Sequence, residues 1–173
     1  LVQLLPFTEQ DIERLISWID TPDLLLQWAG PVFTFPLDRV QVLNHLNSAN
    51  DKFPKSLIFK AMDDHRNKTV GHIELSRIDQ LNQSASLARV FIAPACRGNG
   101  YGQEMVKKAL EIGFNKLQLH RIDLRVFDFN KQAIKCYEKC GFKKEGLLRD
   151  ARKCGNGYWS LYQMSILEQE WFK

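Results

Sequence analysis

No stretch of the 173-residue chain approaches the roughly 20 consecutive apolar residues that a membrane-crossing helix needs. No five basic residues stand in a row, so the net charge of +4 is spread along the chain. That balance suits an anionic ligand and gives no reason to expect direct nucleic-acid binding. Cysteine is scarce. The four cysteines, Cys96, Cys136, Cys140 and Cys154, include no C-x-x-C pair, and no nearby histidine completes a zinc set. A disulfide-built secreted scaffold is therefore excluded, no metal site is expected, and reduced thiols in a cytoplasm are the expectation. The opening LVQLLPFTEQDIERL lacks the basic start and small-residue cleavage site of a secretory signal. Internal repeats, low-complexity tracts and Pro/Gly/Ser linkers are absent, so a single domain is expected over residues 1–173. With 45% hydrophobic and 25% charged residues, disorder is excluded as well.

What is present reads as a mixed α/β chain. After a short strand, Thr8 can cap a helix striped by Ile12, Leu15, Ile16 and Ile19. A second helix is expected after Pro36, on Val40, Leu43 and Leu46. WAGPVFTFP between them reads as an ordered loop, because breakers interrupt its apolar residues. SLIFKAMD, TVGHIELSRID and SASLARVFIAP read as strands, the last two joined by a polar hairpin turn. Strict alternation puts Leu87, Arg89 and Phe91 on one face of the third. A helix is predicted over residues 101–117, then the strand RIDLRVF, then a short helix capped by Asn130 and ended by Gly141. GLLRDARKC and YWSLYQMSIL close the chain as a hairpin around a Gly-Asn-Gly turn. The order implies a largely antiparallel sheet with helices on its faces and one right-handed parallel crossover.

The segment that carries chemistry is VFIAPACRGNGYG. A strand stops at Pro94. Arg97 and the glycines Gly98, Gly100 and Gly102 follow, and a helix begins at once. Glycine lets a backbone approach a ligand closely, and the free N–H groups of a helix start favour negative charge. The combination reads as a phosphate or pyrophosphate cradle, with Arg97 adding a permanent charge. A dinucleotide fingerprint needs G-x-G-x-x-G early in the chain, and a Walker loop needs G-x-x-x-x-G-K-[ST]; neither is present. A purely structural glycine turn remains the rival reading.

RGNGYG resembles the R/Q-x-x-G-x-G/A acyl-CoA signature of the GNAT N-acetyltransferase superfamily. RIDLRVFDFNKQAIKCYEKCGFKKEGLLRD resembles the same family's strand, asparagine and "YEKxGF" helix. The resemblance spans at least residues 69–167 and is nearest to the ribosomal-protein N-terminal alanine and serine acetyltransferases. It implies the GNAT acyl-CoA N-acyltransferase fold: a mixed, mostly antiparallel seven-stranded sheet flanked by helices, with the fourth and fifth strands splayed. Acetyl-CoA would lie in that opening as cosubstrate. Phe91 and Ile92 would offer backbone groups to the pantetheine arm, and an N–H near Phe91 would polarise the thioester carbonyl. The backbone of Arg97, Gly98, Asn99, Gly100, Tyr101 and Gly102 would hold the pyrophosphate.

The resemblance also assigns roles to single residues. Asn130 would touch the pantetheine arm, a role compatible with capping its helix. Tyr137 would protonate the departing thiolate as general acid; the competing reading is aromatic packing. Nothing in the sequence specifically lowers a thiol pKa, so a covalent cysteine mechanism is not expected. Glu74 is the candidate general base, on one strand face with His72 and Ser76; the competing reading is a solvated strand residue. Lys135 and Lys139 would either meet the 3′-phosphate of CoA or form a solvated face.

The acceptor would be a primary amine, on a protein N-terminus or a small molecule. Trp28, Phe33, Phe35, Tyr158 and Trp159 would frame its pocket. Ser160 stands where the ribosomal branch often carries an acid, and no acidic cluster argues for polyamines. Two rival functions are a non-catalytic acyl-CoA sensor and an unrelated nucleotide-binding enzyme. No membrane partner is expected, and the chain suits a monomer or a homodimer.

Overall fold

A computed structural model describes residues Leu1–Lys173. The strands are β1 (Val2–Pro6), β2 (Leu57–Asp63), β3 (Lys68–Asp79), β4 (Ser84–Ile92), β5 (Arg121–Phe127), β6 (Lys143–Cys154) and β7 (Gly157–Leu167). They form one sheet in the order β1-β2-β3-β4-β5-β7-β6. Every neighbouring pair is antiparallel except β4 and β5. The expected GNAT topology is therefore present.

Two apolar clusters sit on opposite faces of this sheet. On one face α4 (Tyr101–Glu111) and α5 (Lys131–Lys139) cover the larger core. Met105, Val106, Ala109 and Leu110 from α4 meet Ile73, Leu75 and Leu87 from the sheet, all nearly water-free. On the other face lie α1 (Ile12–Trp18), α2 (Pro22–Ala29) and α3 (Arg39–Ser48). Their Ile12, Leu15, Leu25 and Val42 pack with Ile58 and Phe91. A last short helix, α6 (Glu168–Trp171), follows β7. No helix is long and apolar enough to cross a membrane.

The N-terminal part holds three helices rather than the two expected. Thr21 caps α2 by accepting from the Leu24 N–H at 3.1 Å, and Pro22 occupies its first turn. Thr-Pro is a helix-start signal that the breakers in the following WAGPVFTFP outweighed. In α3 the buried side chain is Val42, while Val40 is 66% exposed. The expected stripe was thus displaced by two residues at its start. The predicted helix over residues 101–117 ends at Glu111 and continues as a wider turn over Ile112–Lys116.

Candidate active site

The cleft begins where two parallel strands part. β4 and β5 are paired only at Ser84, Ala85 and Ser86, opposite Arg121, Ile122 and Asp123. Beyond Ser86 the edges diverge and leave backbone groups on both sides without a strand partner. The divergence coincides with a bulge in β4. Glu74 of β3 faces Ala88 and His72 faces Phe91, so three steps on β4 match two on β3. Arg89 takes up the extra length at φ +47°. The bulge also flips the side-chain phase. Leu87 points into the larger core, whereas Arg89 and Phe91 face α1–α3. The expected common face for Leu87, Arg89 and Phe91 is corrected, because strict alternation does not survive an inserted residue.

A cleft of about 630 Å³ opens at this split. Val90, Phe91 and Ile92 line one wall, Asn130, Cys136 and Tyr137 the other, and Leu24, Gln27 and Trp28 of α2 close one end. Lys135 and Lys139 also line it, as do Arg97, Gly98, Gly100, Tyr101 and Gly102. The glycine loop is shaped as a cradle. Gly98 and Gly100 have φ of +79° and +80°, and Gly100 immediately precedes α4. The N–H groups of residues 98–102 make no hydrogen bond within the protein. Five consecutive free donors at the start of an eleven-residue helix form an anion-binding arrangement. Asn99 holds the loop by donating to the Cys96 and Arg97 carbonyls at 3.2 and 3.0 Å. The Tyr101 side chain turns away and donates to buried Asp63. Arg97 lies over the Phe91 ring at 5.3 Å.

On the opposite wall, Asn130 caps α5 through an Ala133 N–H to Oδ1 bond of 3.2 Å. Asn130 also lines the cleft. Tyr137 is 8% exposed and its hydroxyl makes no hydrogen bond within the protein. Burial pushes the phenol pKa up, with the Cys136 and Cys140 thiols adding to the effect. The hydroxyl therefore stays protonated at neutral pH and can donate. Cys136 differs from expectation. The neighbouring Cys140 thiol and the charge of Lys139 lower its thiol below the ordinary value, although burial opposes them. The thiols are free rather than bridged.

Glu74 stands outside the lining of the cleft. It is completely buried on the face of β3 that meets α1–α3, with His72 and Ser76 beside it. Its two oxygens receive Arg89 Nε at 2.6 Å, His72 Nε2 at 2.9 Å and His45 Nε2 at 3.0 and 3.1 Å. Burial raises its pKa, but the bonds from His45 and His72 and the charge of Arg89 outweigh that and hold the carboxyl far below the usual range. A carboxylate so engaged is a locked acceptor, in contrast to the solvated or groove-bordering residue anticipated. His45 and Arg89 escaped sequence reading because no local spacing joins them to Glu74. Leu24 and Gln27 escaped it because α2 itself was unread. The terminal hairpin does reach α2. Cys154 Sγ lies 3.7 Å from Asp23 Oδ1, and a Cβ at Gly30 would sit 3.7 Å from Arg152 Nε. Trp159 packs on Phe127 and Phe129 instead of lining the cleft. No group of three or more His, Cys, Asp or Glu side chains is arranged to hold a metal ion.

Comparison with known proteins matches residues 22–142 to the family described as Acetyltransferase (GNAT) family. The spermidine N(1)-acetyltransferase of Vibrio cholerae is 32% identical over 110 residues, which are 64% of this chain and 63% of that protein. The N-acetyltransferase p20 of Bacillus licheniformis is 31% identical over 177 residues, 95% of this chain and 97% of that one. Among solved structures, the Vibrio cholerae spermidine N-acetyltransferase in complex with CoA and spermine superposes with a TM-score of 0.87 at 24% identity. That superposition covers 99% of this chain and 98% of the other, and at such identity it bears on the fold alone.

Proposed function

We propose, for a chain that belongs to the acetyltransferase (GNAT) family, that it transfers the acetyl group of acetyl-CoA directly to a primary amine. The observation that carries this reading is the convergence of three features on one cleft. The free N–H groups of residues 98–102 suit a pyrophosphate. The divergent edges of β4 and β5 suit the amides of a pantetheine arm, which would pair with them as an added strand. The free hydroxyl of Tyr137 suits a departing thiolate. Phe91 and Ile92 supply the backbone groups, Arg97 through Gly102 the phosphate cradle, and Asn130 a side-chain amide. Lys135 and Lys139 line the same cleft and suit the further phosphate of CoA.

The amine enters from the α2 end, past Leu24, Gln27 and Trp28. Its nitrogen attacks the thioester carbonyl while a backbone N–H near Phe91 stabilises the oxyanion. The nitrogen sheds its extra proton to water, the tetrahedral intermediate collapses, the C–S bond breaks, and Tyr137 gives its proton to the CoA sulfur and regains one from solvent. Within the amines, a small polyamine is favoured over a protein N-terminus, because relatives carrying the name spermidine N-acetyltransferase include one 32% identical over 110 residues. No comparable observation favours a ribosomal-protein substrate.

A panel of acetyl-CoA with spermidine, spermine and peptides beginning in Ala or Ser tests this, with products read by mass spectrometry. Monoacetylated polyamine is expected, with kcat/KM at least about tenfold above any peptide. Tyr137→Phe is expected to lower kcat about 100-fold while CoA still binds. Binding of acetyl-CoA without turnover of any amine would leave the non-catalytic sensor as the better reading.

A further inference from the structure

Arg89 is a long-chain residue in the left-handed region, in the middle of a buried strand. Such a residue costs roughly 1–3 kcal/mol unless its surroundings hold it. Strict alternation would send its charge into the apolar core beside Leu87. Instead Arg89 Nε reaches Glu74 at 2.6 Å, and the Arg89 carbonyl accepts from Trp28 Nε1 at 3.0 Å. The carboxylate is itself fixed by His45 from α3 and His72 from its own strand. The Glu74–Arg89 pair is almost fully buried, at 1% and 11% side-chain exposure. One ion pair thus ties α3, β3 and the β4 bulge together, immediately before the cleft-lining residues Val90, Phe91 and Ile92.

We propose that Glu74 is a positioning residue: by holding Arg89 it fixes the β4 bulge, and through the bulge it sets the backbone groups of Phe91 and Ile92 that receive the acyl-CoA. This rests on the acetyltransferase reading of the cleft. It gives Glu74 a function through geometry, with no proton transfer to the substrate amine. Glycine adopts positive φ without an anchor, so it supplies a rescue that a proton-transfer role would not show.

The experiment compares CoA affinity by calorimetry in wild type, Glu74→Gln and Glu74→Gln/Arg89→Gly, with folding followed by circular dichroism. Glu74→Gln is expected to weaken CoA binding about tenfold, and the double variant to recover most of that loss. Glu74→Asp, which keeps the charge with a shorter reach, replaces Glu74→Gln if that protein does not fold, with the same expected loss and the same rescue by Arg89→Gly. Amide hydrogen exchange at residues 90–92, measured without ligand, is expected to accelerate in the single variant and slow again in the double. Unchanged CoA affinity in the single variant, or a double variant no better than the single, overturns the proposal. Intact CoA binding with lost turnover and a lost acid limb in the pH–rate profile also overturns it, in favour of a base at Glu74. Failure of wild type to bind CoA instead sinks the acetyltransferase reading, and hydrogen exchange then judges the anchor by itself.

Discussion

Three glycines stand at alternate positions in the cradle, yet they are there for different reasons. A Cβ on Gly98 or Gly100 would meet nothing within 4 Å, so crowding does not demand glycine at either. Their φ of +79° and +80° does, because a side chain there strains the backbone. Gly102 has an ordinary helical φ, and its added Cβ would lie 3.6 Å from Cys136 Sγ, a normal contact. Gly100→Ala is therefore expected to cost about 1 kcal/mol of stability and to weaken CoA binding about tenfold, while Gly102→Ala leaves both near wild type. Thermal melts and CoA titrations of the two variants check this, and equal effects would mean that contact space governs the loop. The sequence exposed all three glycines but not this distinction, since spacing carries no dihedral angle. The same limit applied to Glu74. Its chemistry made it a candidate base, but only the folded chain brings His45, 29 residues away, and Arg89, 15 residues away, onto its two oxygens.

Among the elements, the sheet was more legible than the helices over it. Alternating apolar residues located the central strands, and Ile122, Leu124 and Val126 of β5 are buried together as their spacing implied. The bulge in β4 was invisible because SLARVF reads as uninterrupted alternation. The irregularity coincides with a buried partner for Arg89, Glu74, on the neighbouring strand. The helical layer formed by α1–α3 covers more than apolar residues. Asp11, just before α1, accepts from the Thr8 N–H at 2.8 Å, Arg14 Nη2 at 2.6 Å and Lys60 Nζ at 3.1 Å. Burial raises the Asp11 pKa, but these bonds bring it below the ordinary value. Asp11 and Glu74 are thus both easier to ionise in the folded protein than in the unfolded chain. A depressed native pKa contributes stability that is complete above the unfolded value and is lost as pH falls through the native one. The melting temperature is accordingly expected to fall steadily below about pH 4.5, as the unfolded chain takes up protons that the native carboxylates refuse. Asp11→Asn should melt lower at pH 7 and decline less steeply in acid. Calorimetry across pH 3–7 tests this, and a flat profile would show that these buried carboxylates contribute nothing net.

At the scale of the whole molecule, the cleft borrows from every layer. β4 contributes Val90, Phe91 and Ile92, the loop before α4 contributes the cradle, α5 contributes Asn130 and Tyr137, and α2 closes the end with Trp28. The loop announced itself through its local chemistry, Phe91, Ile92, Asn130 and Tyr137 only through the family resemblance, and Trp28 was named for the acceptor pocket without the helix that carries it. The contribution of α2 depends on long-range packing, including the Trp28 bond to Arg89, 61 residues away. A ligand seated across all four elements binds the assembled fold and has no site on the unfolded chain. Its binding energy is then folding energy. CoA at 100 times its Kd should add about 2.7 kcal/mol, which for a chain of this size raises the melting temperature by roughly 5–10 °C. NAD and ATP, which lack the pantetheine arm that the β4–β5 opening would pair with, should give much smaller shifts at the same concentration. Gly100→Trp, which puts an indole into the cradle, should abolish the CoA shift while the ligand-free protein still melts cooperatively. A CoA shift that survives Gly100→Trp would move the ligand away from this loop. A larger shift with ATP or NAD than with CoA would reassign the loop to a nucleotide and leave the divergence of β4 and β5 without the ligand it fits.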